Sequence, residues 1–324
     1  IPIVSRAMDA VAAEQKKQAK KSNIPSVSFS FDNIIGRSPM LADVISQARK
    51  VAATDVSVLI NGETGTGKEV FARAIHGASH RSDGAFLALN CSAFSRELLE
   101  SELFGYKAGA FTGAIKDKKG LLEEANHGTV FLDEIGEMAL ELQSKLLRVL
   151  ETGEFVKVGD TKTTRVDVRI LSATNRNLKE EIANGRFRED LYFRLSVFRI
   201  LLPPLRQRRD DILLLAQHFI GLYARQIGRT APSLSTEAKN IFLAYQWPGN
   251  VREMMNAIEH GLIVCDREIT PGDLPIDMLT RETSSESNDS LDLKSVERNH
   301  IIKVLKFTNG NKTETARLLK IGLT

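Results

Sequence analysis

Three short stretches of this 324-residue chain combine residue types that can do chemistry. The first is Gly62-Glu63-Thr64-Gly65-Thr66-Gly67-Lys68-Glu69. Glycines at this spacing let successive backbone N–H groups curl around phosphate oxygens, and a lysine at this offset reaches the β- and γ-phosphates of a nucleotide. The residue after the lysine is usually a serine or threonine that helps hold magnesium. Here it is Glu69, which leaves more of that work to another carboxylate and to water. The second stretch, Thr129-Val-Phe-Leu-Asp133-Glu134, is an apolar run ending in two acids. Carboxylates at the end of a buried strand need a reason, because burying them unpaired is unfavourable. Asp133 fits a magnesium ligand, and Glu134 fits the base that orients or deprotonates an attacking water. The third stretch, Gly109-Ala110-Phe111-Thr112-Gly113-Ala114, lies between the other two. Its glycines predict a mobile tip, and an exposed phenylalanine there suggests a contact surface more than a core position.

These groups must be held by a scaffold, and the hydrophobic pattern indicates which one. Val56–Ile60, Phe86–Leu89, Thr129–Leu132, Val168–Leu171 and Val197–Leu201 are short apolar, β-rich runs separated by helical patterns. They read as buried parallel strands of an α/β fold. The glycine-rich loop follows the first of them and precedes the helical run Val70–His76, which is the strand–loop–helix context a phosphate loop needs. Pro203-Pro204 breaks the pattern, and from Asp210 to about Val264 the periodicity is helical, with one turn at Trp247-Pro248-Gly249-Asn250. Residues 280–290 lack an apolar anchor and read as a flexible linker. Leu291–Phe307 reads as an amphipathic helix, and Thr313–Leu319 starts a second. Near the start, residues 5–22 form a polar helical segment with four lysines clustered at its end.

Composition narrows the class. With 42% hydrophobic and 26% charged residues the chain is an ordinary globular sequence, and a net charge of +3 is too mild to establish nucleic-acid binding. No apolar run approaches the roughly 20 residues that span a bilayer, and there is no signal peptide, so no membrane role is expected. Cys91 and Cys265 form no pair motif, and read as buried free thiols of a cytoplasmic protein. The chain starts at Ile1 and stops at Thr324 in mid-pattern, which reads as a fragment of a longer protein.

Taken with the phosphate loop and the Asp133-Glu134 pair, the Gly-Ala-Phe-Thr-Gly-Ala segment resembles the signature loop of the NtrC-type AAA+ transcription activators, which act on RNA polymerase carrying the sigma-54 factor. The resemblance covers about residues 30–275, with weaker cover at 291–324, and Glu69 agrees with the family's usual residue. It implies an AAA+ P-loop parallel-sheet subdomain at 29–204, a helical lid at 205–279, the linker at 280–290 and a partial all-α Fis-type helix-turn-helix at 291–324; residues 1–28 would be a linker helix from a missing regulatory domain. By resemblance, ATP and Mg2+ are bound through Gly62–Glu69 and Asp133, with Ile35 and Gly36 flanking adenine. Asn90 resembles a polar switch that holds the catalytic glutamate off-line. Asn175 resembles the residue that senses the γ-phosphate from the sheet, and Arg252, in Gly249-Asn-Val-Arg252-Glu253, the one that senses it from the lid. Arg188 and Arg194 match the two arginines that the family presents to a neighbour's ATP, which implies a homo-hexameric or heptameric ring. Phe111 and Thr112 would touch the sigma-54 factor, and residues 151–167, with Gly153 and Gly159, resemble a second loop that moves with the first. Enhancer DNA is the partner implied for the whole protein, with weak or absent binding by this chain, which ends where the recognition helix should begin. The rival readings are a general AAA+ protein unfoldase and a DNA-binding regulator that uses ATP only to assemble.

Overall fold

The computed structural model describes residues 30–280 and, beyond them, 297–298, 300–302, 304, 308, 311–319 and 321. The expected helix over 5–22, the linker after residue 280 and much of the C-terminal segment lie outside the described residues.

Five strands form one all-parallel sheet: β1 (Val58–Asn61), β2 (Phe86–Asn90), β3 (Thr129–Asp133), β4 (Arg169–Thr174) and β5 (Phe198–Leu201), in the order β2-β3-β4-β1-β5. Their sequences read as continuous apolar runs because both faces are covered. Successive residues still divide between the two faces with period two. Leu59, Val130, Leu132 and Ile170 enter one core, whereas Val58, Ile60, Phe131 and Leu171 enter the other. Parallel pairing gathers the C-terminal strand ends along one edge. Asn61 is in register with Thr174, and Asn90 with Asp133. The phosphate loop, the Asp133-Glu134 pair and Asn175 all leave the sheet from that edge, where ligands of open α/β sheets bind.

The strands shift from their expected limits where polar residues are buried in the ladder. β4 continues past Leu171 because Ser172 and Thr174 are fully buried, and the Ser172 hydroxyl donates to the Val58 carbonyl at 3.4 Å. An apolar scan stops three residues too early there.

Arg169, at the start of β4, is 1% exposed and has no carboxylate in hydrogen-bond contact among the described residues. Its guanidinium donates to the carbonyls of Val51 at 2.9 Å and Ala52 at 3.1 Å, which end α1 (Pro39–Ala52), and more weakly to Val56. A cation suits a helix C-terminus, but burial pulls its pKa down to about 10. Arg169→Ala would orphan these carbonyls, and we expect a loss of about 3 kcal/mol in urea unfolding. A loss below about 1 kcal/mol would mean that water replaces the side chain.

α2 (Lys68–Gly77) follows the phosphate loop, and α3 (Arg96–Phe104) leads into a two-residue antiparallel ladder, Gly105–Tyr106 with Lys118–Lys119, that carries the 109–114 loop. α4 (Leu140–Thr152) ends at Gly153, whose left-handed φ of 70° lets its N–H return to the Val149 carbonyl. A hairpin of Glu154–Val156 with Thr163–Arg165 follows. After Pro203-Pro204 the expected helical region is interrupted twice. Arg209–Gln226 ends near Gly228, Thr236–Ala244 starts at the Ser235 cap, and Asn250–Val264 follows the Trp247–Asn250 turn. The first break is set by Ser233–Leu234, which pairs in parallel with the distant Glu268–Ile269. The chain divides into two compact units: residues up to Phe219 with Gln246–Asn256, and Ile220–Tyr245 with residues from Ala257 onward. Among the described residues, no helix is long and apolar enough to cross a membrane.

Candidate nucleotide site and its surface loop

The phosphate loop closes around Lys68. Gly67, with φ 97°, opens α2, and the Thr66 hydroxyl returns to the Glu63 carbonyl at 2.8 Å. Lys68 Nζ donates to the Gly62 carbonyl at 3.1 Å and lies 3.7 Å from Glu134 Oε1, with the two side chains 6% and 18% exposed. Glu69 turns away along the helix surface, where Arg73 Nε and Nη2 donate to its Oε1 at 2.9 and 2.7 Å.

Asp133 and Glu134 end β3 differently. Asp133 Oδ1 accepts the Glu134 N–H at 3.0 Å. Burial pushes the Asp133 carboxyl up from its ordinary range, and the Glu134 charge adds to this, while that hydrogen bond opposes it. Glu134 has φ 51° and ψ 46°, a left-handed conformation that a non-glycine residue keeps only when its surroundings impose it. Asn90 lies beside Asp133 in register, but its Oδ1 accepts the Ser92 N–H at 2.9 Å and hydroxyl at 2.7 Å, so it caps its own turn. Asn175 Nδ2 donates to Thr64 Oγ1 at 3.1 Å, which ties the end of β4 to the phosphate loop. Arg252 is exposed and makes no ion pair among the described residues; its Cβ is 3.0 Å from where a Cβ on Gly65 would stand. Burial pushes the Cys91 thiol up to about 12, so both expected free, buried cysteines are present and this one is inert.

The described residues contain no group of three or more His, Cys, Asp or Glu arranged to hold a metal. A single carboxylate beside a phosphate cradle suits magnesium, which keeps several waters and takes substrate phosphate oxygens. Next to Gly62 and Glu63 lies a cleft of about 270 Å³ walled by Met40, Val44, Leu202, Pro203 and Pro204. Its apolar walls fit a purine base. Ile35 and Gly36 stand in the loop leading to α1, which supplies Met40 and Val44. That loop is pinned by the fully buried Asp211, which the sequence reading missed. Asp211 Oδ1 accepts the N–H groups of Arg37 and Ser38 at 2.6 and 2.9 Å, and Oδ2 accepts the Ser38 hydroxyl at 2.8 Å. No local signal marks a contact across 173 residues.

Arg188 and Arg194 are both exposed, at the N-cap and in the last turn of the short helix Glu189–Leu195. Arg188 pairs with Asp190 through two contacts of 3.0 and 2.5 Å and reaches Ser144, while Arg194 reaches the Leu150 carbonyl. Their partners lie on their own helix and on α4, not on this chain's phosphate loop.

The 109–114 loop is ordered by its own backbone. The Gly109 N–H donates to the Ala114 carbonyl at 2.8 Å, and Asp117 holds both the Ala108 N–H and the Lys107 ammonium. Gly109 and Gly113 have φ 84° and 107°, yet a Cβ on either would meet nothing within 4 Å, so backbone conformation and not space requires glycine. Phe111 is 46% exposed, with its ring edge-on to Tyr106 at 4.9 Å. Ala110 rests on the second loop, where a Cβ on Gly159 would come within 2.6 Å of it. The N–H of Lys107 donates to Val158 at 3.0 Å.

Comparison with known proteins agrees with this arrangement. Residues 34–201 match the Sigma-54 interaction domain, residues 206–291 the AAA+ ATPase lid domain, and residues 292–324 the bacterial regulatory protein Fis family. The chain is 44% identical to the transcriptional regulatory protein ZraR of Salmonella typhimurium, over 93% of its own length and 68% of that protein. It is also 44% identical to the regulatory protein AtoC of Escherichia coli K12, over 91% of this chain and 66% of that one, and to the nitrogen fixation protein AnfA of Azotobacter vinelandii, over 90% and 55%. The chain therefore spans between about half and two thirds of the length of these relatives. Among solved structures, NtrX of Brucella abortus in complex with ADP superposes with a TM-score of 0.73 at 32% identity, over 99% of this chain and 71% of that one. The ATP complex of NtrX superposes with a TM-score of 0.72 at 33% identity, over 99% and 72%. The phosphate loop, the acidic strand end and the Gly-Ala-Phe-Thr-Gly-Ala loop thus occur together on the fold they require, and the chain belongs to the sigma-54-dependent AAA+ transcription activators, with the ATPase domain of that family at its centre.

Proposed function

We propose that this chain hydrolyses ATP as one subunit of a homo-oligomeric ring, a hexamer or heptamer, and uses the cycle to remodel sigma-54 RNA polymerase so that promoter DNA opens. The observation that carries the reading is the placement of the Lys68–Glu134 pair and the 109–114 loop on the same α/β unit. The backbone amides of Gly62–Glu69 bind the phosphates, and the walls around Met40 and Leu202 hold the base. Lys68 exchanges its contact with Glu134 for the β- and γ-phosphate oxygens. Glu134, relieved of that cation, takes the proton of the attacking water. Asp133 holds Mg2+, which when bound neutralises charge on the phosphate oxygens.

Arg188 and Arg194 serve a neighbouring subunit's ATP. Both are exposed, and planar cations delivered in trans stabilise charge on the transferring phosphoryl group. Asn175 and Arg252 report phosphate state to the sheet edge and to the helix that begins at Asn250, and Asn90 is the polar switch that holds Glu134 off-line. Phe111 and Thr112 contact the sigma-54 factor, with Gly109, Ala110, Gly113 and Ala114 shaping the tip. Enhancer DNA is the partner of the Fis-type segment in the whole protein, and the cytoplasm is its compartment.

Binding to purified sigma-54 factor tests the reading. We expect a stable complex with ADP–aluminium fluoride, the transition-state mimic, and none with ADP. No complex with the mimic, alongside normal ATPase activity, would favour a general protein unfoldase instead.

A further inference from the structure

We propose that Asn250, together with Glu63 and Arg206, is a positioning residue that holds the crest of the phosphate loop in its anion-binding shape and in register with the helix bearing Arg252. The proposal rests on the ATPase reading above.

A phosphate cradle works when its N–H groups point inward, so its carbonyls must be satisfied outside. The crest carbonyls of this loop are each tied down. Glu63 O accepts the Thr66 hydroxyl at 2.8 Å, Thr64 O accepts Asn250 Nδ2 at 3.0 Å, and Gly65 O accepts the Val251 N–H at 3.0 Å. Two of the three ties come from the turn that starts the Asn250–Val264 helix.

Asn250 is fully buried and uses both ends of its amide. Its Oδ1 accepts the Leu205 N–H at 2.8 Å, and its Nδ2 also donates to Glu63 Oε2 at 3.2 Å. Its φ of 53° is left-handed, which asparagine tolerates better than most residues. The Glu63 carboxylate receives Arg206 Nη1 and Nη2 at 2.8 and 2.6 Å. These hydrogen bonds hold the carboxyl below its usual range, so it stays charged. There is no slack on the other side. A Cβ on Gly65 would stand 2.2 Å from the Gly249 carbonyl oxygen. Arg252 is two residues beyond Asn250 on the same helix, so the clamp that shapes the cradle also sets where Arg252 starts from.

The test is ATP affinity of the full chain in a Glu134→Gln background, read by equilibrium binding of a fluorescent ATP analogue. Asn250→Asp keeps the size and the acceptor for Leu205, loses both donated bonds and sets a carboxylate against Glu63. We expect affinity to fall about tenfold, equivalent to about 1.4 kcal/mol. Adding Glu63→Gln removes the charge repulsion but does not replace the bond to the Thr64 carbonyl, so it is expected to restore only part of the loss. An unchanged affinity in Asn250→Asp, or a loss that Glu63→Gln relieves completely, overturns the positioning role. Absence of ATP binding in Glu134→Gln alone sinks the ATPase reading itself. Should Asn250→Asp fail to fold, Arg206→Gln, at a position 38% exposed, carries the test. It is expected to weaken ATP about threefold, and unchanged affinity there overturns the proposal.

Discussion

Glu134→Gln is expected to bind ATP as well as the parent chain, or slightly more tightly, and to lose turnover by about 10³-fold, within the range for removal of a general base. The substitution is isosteric, so the unusual backbone at φ 51° and the packing at the end of β3 are kept. What changes is charge. Lys68 Nζ loses its carboxylate neighbour at 3.7 Å and is left with the Gly62 and Glu63 carbonyls, which makes its transfer to phosphate easier. Loss of the base leaves the water without a proton acceptor at that position. Asp133 is not expected to take over, because the proposed reading commits its carboxylate to Mg2+ and its Oδ1 already accepts the N–H of residue 134. Phosphate release and nucleotide binding, measured on the same preparation, check both halves. Turnover within threefold of the parent would remove Glu134 from the role of base, whatever the binding result.

The residues proposed to touch phosphate were legible because their signals are local. Eight consecutive positions define the phosphate loop, and Asp133-Glu134 end a strand whose burial is written in Val130, Phe131 and Leu132. What supports them was not legible, because it comes from residues brought together only by the fold. Asp211 holds Arg37 and Ser38, Asn250 holds Thr64, and Arg169 closes α1 from a strand more than a hundred residues away. Each is an ordinary polar residue in an ordinary context, and nothing in its neighbours along the chain marks it. The same limit explains the strand ends. Ser172 and Thr174 read as exits from a strand, but the ladder to β1 buries them. Likewise Gly228 and Pro232 could have marked the first helix break, but the parallel pairing with Glu268–Ile269 that fixes it could not be read locally. For Asn90, the sequence indicated a polar group at the end of β2. The side chain's engagement with Ser92 depends on the turn that follows.

Thr112→Ala is expected to leave ATPase activity and thermal stability within about twofold of the parent while promoter opening falls about 30-fold, the scale of losing a contact of about 2 kcal/mol. The separation follows from where Thr112 sits. It is exposed, and its hydroxyl makes no hydrogen bond among the described residues, so no internal bond is lost. The loop keeps its shape through main-chain bonds that any side chain at 112 permits: Gly109 to Ala114, Ala114 to Phe111, and Ala108 to Asp117. The contact of Ala110 with Gly159 is also untouched, so the second loop still bears on the first. Phe111→Ala is a less clean probe, since it removes the edge-on contact with Tyr106 as well as an exposed aromatic surface. Sigma-54 promoter opening on a supercoiled template, run beside phosphate release, gives the comparison. If Thr112→Ala lost both activities together, the loop would be a structural support of the ATP site and the proposed contact with the sigma factor would fail. If it kept both, the contact would have to be carried by Phe111 and the backbone of the two glycines.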